Sequence, residues 1–103
     1  MDIVLSKSNV PIRITEERWQ HIITRHPEMS GVREKLIETI HDPELILEGD
    51  KGTVMAVRFY KETKISSKYL IVIYKEIVKR DGFVLTAYFA NQYARWRKVL
   101  WKK

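Results

Sequence analysis

The stretch ELILEGDKGTVMAVRFY, residues 44–60, decides the fold class that the sequence predicts. Here the spacing of apolar residues changes to the two-residue period of a strand, after a helical period upstream. ELILE therefore predicts a short strand, GDKG a turn and TVMAVRFY a second strand. A turn this short joins antiparallel neighbours, because parallel strands need a long crossover.

Two further strands are predicted downstream of this hairpin. YLIVIYKEI at 69–77 and FVLTAYF at 83–89 are rich in β-branched and aromatic residues, and the turn VKRDG joins them. The polar segment KETKISSK at 61–68 is predicted to be the loop before them. The sequence therefore predicts a four-stranded antiparallel sheet in which consecutive strands are neighbours.

Helices are predicted before and after the strands along the chain. Thr15 offers an N-cap for the first helix, and Pro27 closes it because the residue before a proline disfavours helical angles. A second helix begins at Ser30 and Gly31 and ends at HDP, residues 41–43. In the tail at 91–103, the helical spacing of three apolar residues predicts a basic C-terminal helix: Tyr93, Trp96 and Leu100.

These elements predict one α+β domain over residues 1–103, with the two N-terminal helices packed on one face of the sheet. A hydrophobic share of 45% is enough for a single modest core. The chain has no cysteine, which excludes disulfides, thiolate metal sites and a cysteine nucleophile. It also has no charged leader and no apolar run of the roughly 20 residues that span a bilayer. We therefore expect a cytoplasmic protein without membrane partners.

The positive charge is concentrated at one end of the chain. Net charge is +6, yet residues 1–90 hold 14 Lys and Arg against 13 Asp and Glu. The tail supplies the excess through five cations and no acid: Arg95, Arg97, Lys98, Lys102 and Lys103. A basic segment of this kind attracts polyanions, most often nucleic acid, or else only keeps the chain soluble.

Alternation along two strands predicts a polar sheet face. In the last strand the residues that should pack on the helices are Phe83, Leu85, Ala87 and Phe89, which leaves Val84, Thr86 and Tyr88 opposite. In TVMAVRFY the apolar side is formed by Met55, Val57 and Phe59, which leaves Ala56, Arg58 and Tyr60. We therefore expect Arg58, Thr86 and Tyr88 to share one open face. An arginine fork binds two phosphate oxygens, and a hydroxyl donates a further hydrogen bond.

A histidine and an arginine end the first helix side by side. His26 lies on its apolar stripe, Arg25 precedes it, and His21 lies one turn before Arg25. An imidazole titrates near neutrality and can take a proton from a ribose 2′-hydroxyl or return one to a leaving oxygen. The sequence has no HExxH motif, carboxylate cluster or glycine-rich phosphate loop, so we expect no metal and no cofactor.

Three segments together resemble one nuclease family. HIITRHPEM on the first helix, HDPELIL at the end of the second and TAY in the last strand resemble phage-type relatives of the barnase, EndoU, colicin and RelE nuclease fold, the BECR fold. The resemblance implies a metal-independent, toxin-like endoribonuclease acting on transfer or messenger RNA. It also implies a site lined by Arg25, His26, Arg58, Thr86 and Tyr88, with His21 as a second acid or base and Lys75 adding charge.

Three functions follow as alternatives. In the first, a ribonuclease uses His26 or His21 as acid or base, and the basic tail holds the RNA backbone. In the second, the same face binds RNA without cutting it, and aromatic residues stack on bases: Tyr60, Tyr88, Tyr93, Trp96 and Trp101. In the third, exposed tryptophans dock on a protein. The nuclease hypothesis expects a possible neutralising protein partner, and it expects His26 and Arg58 to meet at one phosphate-sized pocket.

Overall fold

The first helix begins and ends where its sequence signals lie. The computed structural model describes residues 1–63, 65–66 and 68–103. Helix α1 spans Glu16–Arg25, and the Thr15 hydroxyl accepts a hydrogen bond from the Arg18 N–H at 3.1 Å. A single 3-10 turn, Pro27–Met29, follows it, and helix α2 spans Arg33–His41. Both predicted N-terminal helices are therefore confirmed, although α2 begins two residues after Gly31.

Seven strands form one mixed sheet in the described part of the chain. They are β1 (Asp2–Leu5), β2 (Pro11–Ile14), β3 (Leu45–Glu48), β4 (Val54–Phe59), β5 (Tyr69–Val78), β6 (Asp81–Ala90) and β7 (Val99–Lys102). Their order across the sheet is β1-β2-β6-β5-β4-β3-β7. All neighbouring pairs are antiparallel except β2 and β6, which run parallel. The predicted loop at 61–68 includes Lys64 and Ser67, which lie outside the described residues.

The molecule is of the α+β class, but the predicted four-stranded sheet with a C-terminal helix is wrong. Three short strands were not predicted: β1 and β2 form an N-terminal hairpin, and β7 pairs with β3. The cause at the C-terminus is the unpaired edge of β3, whose residues Leu45–Leu47 are all buried. Buried backbone groups need hydrogen-bond partners, and Val99–Lys102 supplies them as a strand despite its helical spacing.

The joint between the hairpin and the main sheet depends on a glycine. Strand β2 pairs with only Gly82 and Phe83 of β6. A β-carbon on Gly82 would lie 2.6 Å from Ile12 Cδ1 and 2.6 Å from the Lys75 carbonyl oxygen, closer than such atoms can approach. Beyond Phe83 the same edge of β6 is covered by α1, and Arg18 Nη1 donates to the Leu85 carbonyl at 3.2 Å. This arrangement places the end of α1 beside the second half of β6.

The main core lies between the helices and one face of the sheet, which we call the helix face. Trp19 and Ile22 of α1 and Leu36 and Ile40 of α2 are buried there. The sheet curves around α2, because Lys7 in the β1–β2 turn lies 4.8 Å from the Trp101 ring of β7, at the other end of the strand order. Helix α2 therefore packs its buried residues into the concave side of the sheet, while Glu34, Glu38 and His41 stay exposed.

The second face of the sheet carries a smaller core of its own. Its buried side chains are Leu45, Leu47, Met55, Val57 and Ile71. The connection from β6 to β7, residues 91–98, joins strands that three others separate, and its Tyr93 packs on this core. We call residues 91–98 the crossing segment. The second face is therefore not fully solvated, and only some of the residues predicted for it, Thr86 and Tyr88 among them, lie there.

The predicted side assignment of β4 is wrong. Met55 and Val57 pack in the second core, whereas Ala56 and Tyr60 pack against the helices. Both faces of β4 are buried, so an apolar stripe did not identify the side that faces the helices. The small Ala56, fully buried, lies on the helix face instead.

A bulge in β6 explains why its alternation was half right. Ile73 pairs with Thr86 but Tyr74 pairs with Val84, which leaves Leu85 as an extra residue. After the bulge, Ala87 and Phe89 pack on the helix face as predicted. Before it the alternation inverts, and Val84 is buried with the helices.

No helix in the described chain is long and apolar enough to cross a membrane.

Candidate nucleic-acid interface

Arg58 lies on the helix face and closes the end of α2. Its Nη1 donates to the Asp42 carbonyl oxygen at 2.7 Å and to Asp42 Oδ2 at 3.0 Å, and its Nε lies 3.7 Å from Glu38 Oε1. An arginine here satisfies a terminal carbonyl that has no partner within the helix. The expectation that Arg58 shares an open face with Thr86 and Tyr88 is therefore wrong. Its guanidinium already serves the fold, and its expected meeting with His26 is not observed.

The contact between Arg58 and Asp42 predicts a pH dependence of stability. The hydrogen bond from Arg58, followed by the charge of Lys103, lowers the pKa of the Asp42 carboxyl below its usual 3.8. A carboxyl whose pKa is lower in the folded state stabilises the fold above its unfolded pKa. That stability is lost as the pH falls through the lowered folded value. We therefore expect Asp42→Asn to be less stable than the wild type near neutral pH, by a margin that shrinks as the pH falls below 3.8 and through the lowered folded value.

Urea unfolding of both chains between about pH 7 and pH 2 measures this margin. A margin that stays constant across the range would show that the charge of Asp42 contributes nothing to stability.

His26 lies at the edge of the sheet, in contact with Tyr88. It caps the C-terminus of α1, where Pro27 prevents a further turn. Its ring centroid is 5.5 Å from that of Tyr88, with the planes tilted by 32°. Its Nδ1 lies 3.8 Å from Glu28 Oε2, and the side chain is 33% exposed. The imidazole is thus held between a ring and a carboxylate while remaining open to solvent.

Tyr88 and Thr86 point to the second face, as predicted. Tyr88 pairs with Ile71 and Thr86 with Ile73, and both partners belong to the second core. Burial raises the pKa of the Tyr88 hydroxyl, and the nearby guanidinium of Arg97 offsets part of that rise. The hydroxyl therefore stays protonated at neutral pH and can act as a hydrogen-bond donor.

Lys75 lies on the same face as these two residues. Its neighbour Tyr74 packs on the helix face, so alternation directs Lys75 to the second face, across from Phe83. Its Cε approaches the β3–β4 turn, 3.7 Å from where a β-carbon on Gly52 would lie. Among the described residues no carboxylate lies within 4 Å of its ammonium group, so its charge is available to an anion.

Arg97 also belongs to this site, although the sequence predicted only that it is one of the cations of the basic tail. Its guanidinium makes a two-armed ion pair with Asp50, at 3.0 and 3.2 Å, and donates to the Glu48 carbonyl. It also lies 4.5 Å from the Trp96 ring centroid and interacts electrostatically with the Tyr88 hydroxyl. Two pairs of planar groups therefore define this site, Trp96 with Arg97 and Tyr88 with His26. We call this set the aromatic row.

The other cations predicted to bind RNA fall into two groups, one near the second face and one at the far edge of the sheet. Arg95 Cζ lies 4.6 Å from the Tyr93 ring centroid in the crossing segment. Lys102 is exposed on β7, and Lys103 Nζ lies 3.6 Å from Asp42 Oδ1. Lys98 is exposed, and its carbonyl accepts from the Glu48 N–H. The structure therefore brings Arg95, Arg97 and Lys98 to the second face or its rim, and leaves the last two lysines at the far edge.

His21 and Arg25 are exposed on α1. Arg25 directly precedes His26, and no carboxylate of the described chain lies within 4 Å of its guanidinium. His21 lines a separate shallow cleft of about 410 Å³ with Thr15, Arg18 and Thr24. Neither residue contacts Tyr88. The two histidines therefore differ, since only His26 belongs to the aromatic row.

A cleft beside the 3-10 turn holds none of the predicted site residues. It measures about 670 Å³ and lies between the 3-10 turn, the start of α2 and Phe89.

Across the described ranges, no group of three His, Asp or Glu residues is placed to share a metal ion.

Comparison with known proteins adds no relative. No family model, curated protein or solved structure matches this chain. The nuclease resemblance therefore rests on the motifs in the sequence.

Proposed function

We propose that the protein is a metal-independent endoribonuclease whose site lies at the pair of His26 and Tyr88 in the aromatic row. The observation that supports this proposal most is the contact of His26 with Tyr88. It joins the RHPE and TAY segments, which are two of the three motifs of the resemblance. An imidazole open to solvent beside a protonated phenol provides an acceptor and a donor of protons within one site.

The proposed reaction uses the nucleophile that RNA itself carries. His26 accepts the proton of the ribose 2′-hydroxyl, whose oxygen forms a bond to the neighbouring phosphorus. The bond from phosphorus to the 5′ oxygen breaks, and that oxygen takes a proton from Tyr88 or from water. Donors placed where negative charge develops on the phosphate lower the barrier. Arg25 is the unpaired guanidinium nearest to His26 in the chain, and Thr86 provides a hydroxyl on the same face as Tyr88.

The corrected position of Arg58 changes which cations serve the phosphate. Arg58 is engaged with Asp42 and Glu38, and Arg97 with Asp50, so the proposal assigns charge stabilisation to Arg25, with Lys75 beyond it. The proposed enzyme acts in the cytoplasm and is toxin-like. A neutralising protein partner would have to cover the second face to block its site.

A cleavage assay in excess EDTA tests the proposal. The substrates are an RNA oligonucleotide and the same sequence with 2′-deoxyribose throughout. We expect the RNA to be cut to products ending in a cyclic 2′,3′-phosphate, and the deoxy strand to stay intact because it lacks the nucleophile. Cleavage of both strands, or loss of cleavage in EDTA, would contradict the mechanism. Intact RNA that nevertheless binds would favour a non-catalytic RNA-binding module, for which the exposed Trp96 is the supporting observation.

A further inference from the structure

The indole of Trp96 lies on the surface of the molecule. It is 78% exposed, whereas Trp19 is buried in the main core and Trp101 is half-buried in β7. Large aromatic side chains usually lose most of their surface to the core on folding. An indole left in solvent is therefore available to a ligand with a flat apolar face.

The inner side of this indole is occupied by an immobilised cation. The Arg97 guanidinium lies 4.5 Å from the ring centroid, and the ion pair with Asp50 holds it in place. The Arg97 side chain is only 16% exposed. A platform that is already ordered loses little further entropy when a ligand binds. The outer side of the indole remains free for stacking.

Unneutralised positive charge lies next to the platform. Arg95 precedes Trp96 and stacks on Tyr93, and its guanidinium meets no carboxylate within 4 Å among the residues described. Residues 91–103 carry five cations and no acid. A flat apolar face beside free guanidinium charge complements a nucleobase and its phosphate, and it would repel a basic protein surface.

We propose that Trp96 stacks on an unpaired base and that the protein therefore selects single-stranded RNA. This inference rests on the proposed function for its choice of RNA. Trp96 lies in the crossing segment, whose Tyr93 packs on the second face to which Tyr88 points, so the inference assigns the base on Trp96 and the phosphate near His26 to one strand. In a duplex each base is already stacked between its neighbours and cannot reach an indole on the surface.

The test measures binding separately from cleavage. Fluorescence anisotropy records the affinity of a labelled single-stranded oligonucleotide with 2′-deoxyribose throughout, which the proposed mechanism cannot cut. The same strand annealed to its complement serves as the duplex probe. The proteins compared are the wild type, Trp96→Ala, Trp96→Phe and Leu100→Ala, the last being a control for loss of an exposed apolar side chain.

We expect Trp96→Ala to weaken single-strand binding by about five- to 100-fold, the loss of one stacked base, and Trp96→Phe to retain most of the affinity. Duplex binding should change little in either variant, and Leu100→Ala should resemble the wild type. Equal weakening of single-strand and duplex binding, or no effect of Trp96→Ala, would overturn the inference. Cleavage without any dependence on Trp96 would leave the proposed nuclease standing and remove the stacking site. Binding that depends on Trp96 in a protein that cuts no RNA would support the stacking site and contradict the proposed nuclease.

Discussion

Replacing His26 with alanine is expected to lower the rate of RNA cleavage by about 10²–10⁴-fold, the usual contribution of a positioned acid or base. The variant loses the proton acceptor beside Tyr88 but little packing, because the side chain is 33% exposed. One ring contact is worth about 1 kcal/mol, so the variant should stay folded. Single-turnover cleavage of RNA in EDTA and urea unfolding measure the two quantities.

His21→Ala is the matched control for this experiment. It removes an imidazole from the same helix, but from a residue that lines a different cleft and does not contact Tyr88. We expect its cleavage rate to stay within a few-fold of the wild type, and this retention beside the loss in His26→Ala would show that the activity is not a contaminant. Equal loss in both variants, or activity that survives in His26→Ala, would remove the assignment of His26.

Replacing Leu36 with alanine is expected to lower the free energy of unfolding by about 2–5 kcal/mol. Leu36 is fully buried on α2, the helix that packs into the concave side of the sheet. The surroundings can collapse little into the space left behind, so the loss should lie toward the upper end of that range. In a domain of this size each kcal/mol lowers the melting temperature by about 4–8 °C.

Leu100→Ala removes the same atoms at a surface position, because Leu100 is 45% exposed on β7. Its expected loss is about 1 kcal/mol or less, and urea unfolding of both variants measures the difference. A small loss in Leu36→Ala would mean that α2 is not tightly packed against the sheet.

Local signals predicted the helices and the central strands, and long-range pairing decided the rest. The cap at Thr15 and the stop at Pro27 act on neighbouring residues, so sequence alone locates α1. The pairing of β7 with β3 joins residues about 50 positions apart, and only the unpaired edge of β3 requires it. Helical spacing in the tail was therefore outweighed by backbone hydrogen bonding that no local pattern displays.

The residues of the candidate site also fall into those that local sequence patterns identify and those that long-range packing decides. His26, Thr86 and Tyr88 were chosen from short motifs, and the structure brings His26 to Tyr88. Arg58 was assigned to the wrong face because both faces of β4 are buried, so its alternation carried no information about side. The sequence identifies Arg97 only as a basic residue of the tail. Its position at Asp50 and Trp96 depends on the crossing segment, which the predicted C-terminal helix excludes.

The crossing segment also has a consequence for synthesis on the ribosome. Residues up to Ala90 contain six of the seven strands in the described chain, yet the second core stays uncovered until residues 91–102 emerge. A nascent or truncated chain ending near Ala90 would present apolar side chains and the open edge of β3 to its neighbours, a combination that favours aggregation. It would also lack Trp96 and Arg97. Translation would thus have to pass beyond this segment before the site that we propose for RNA is complete.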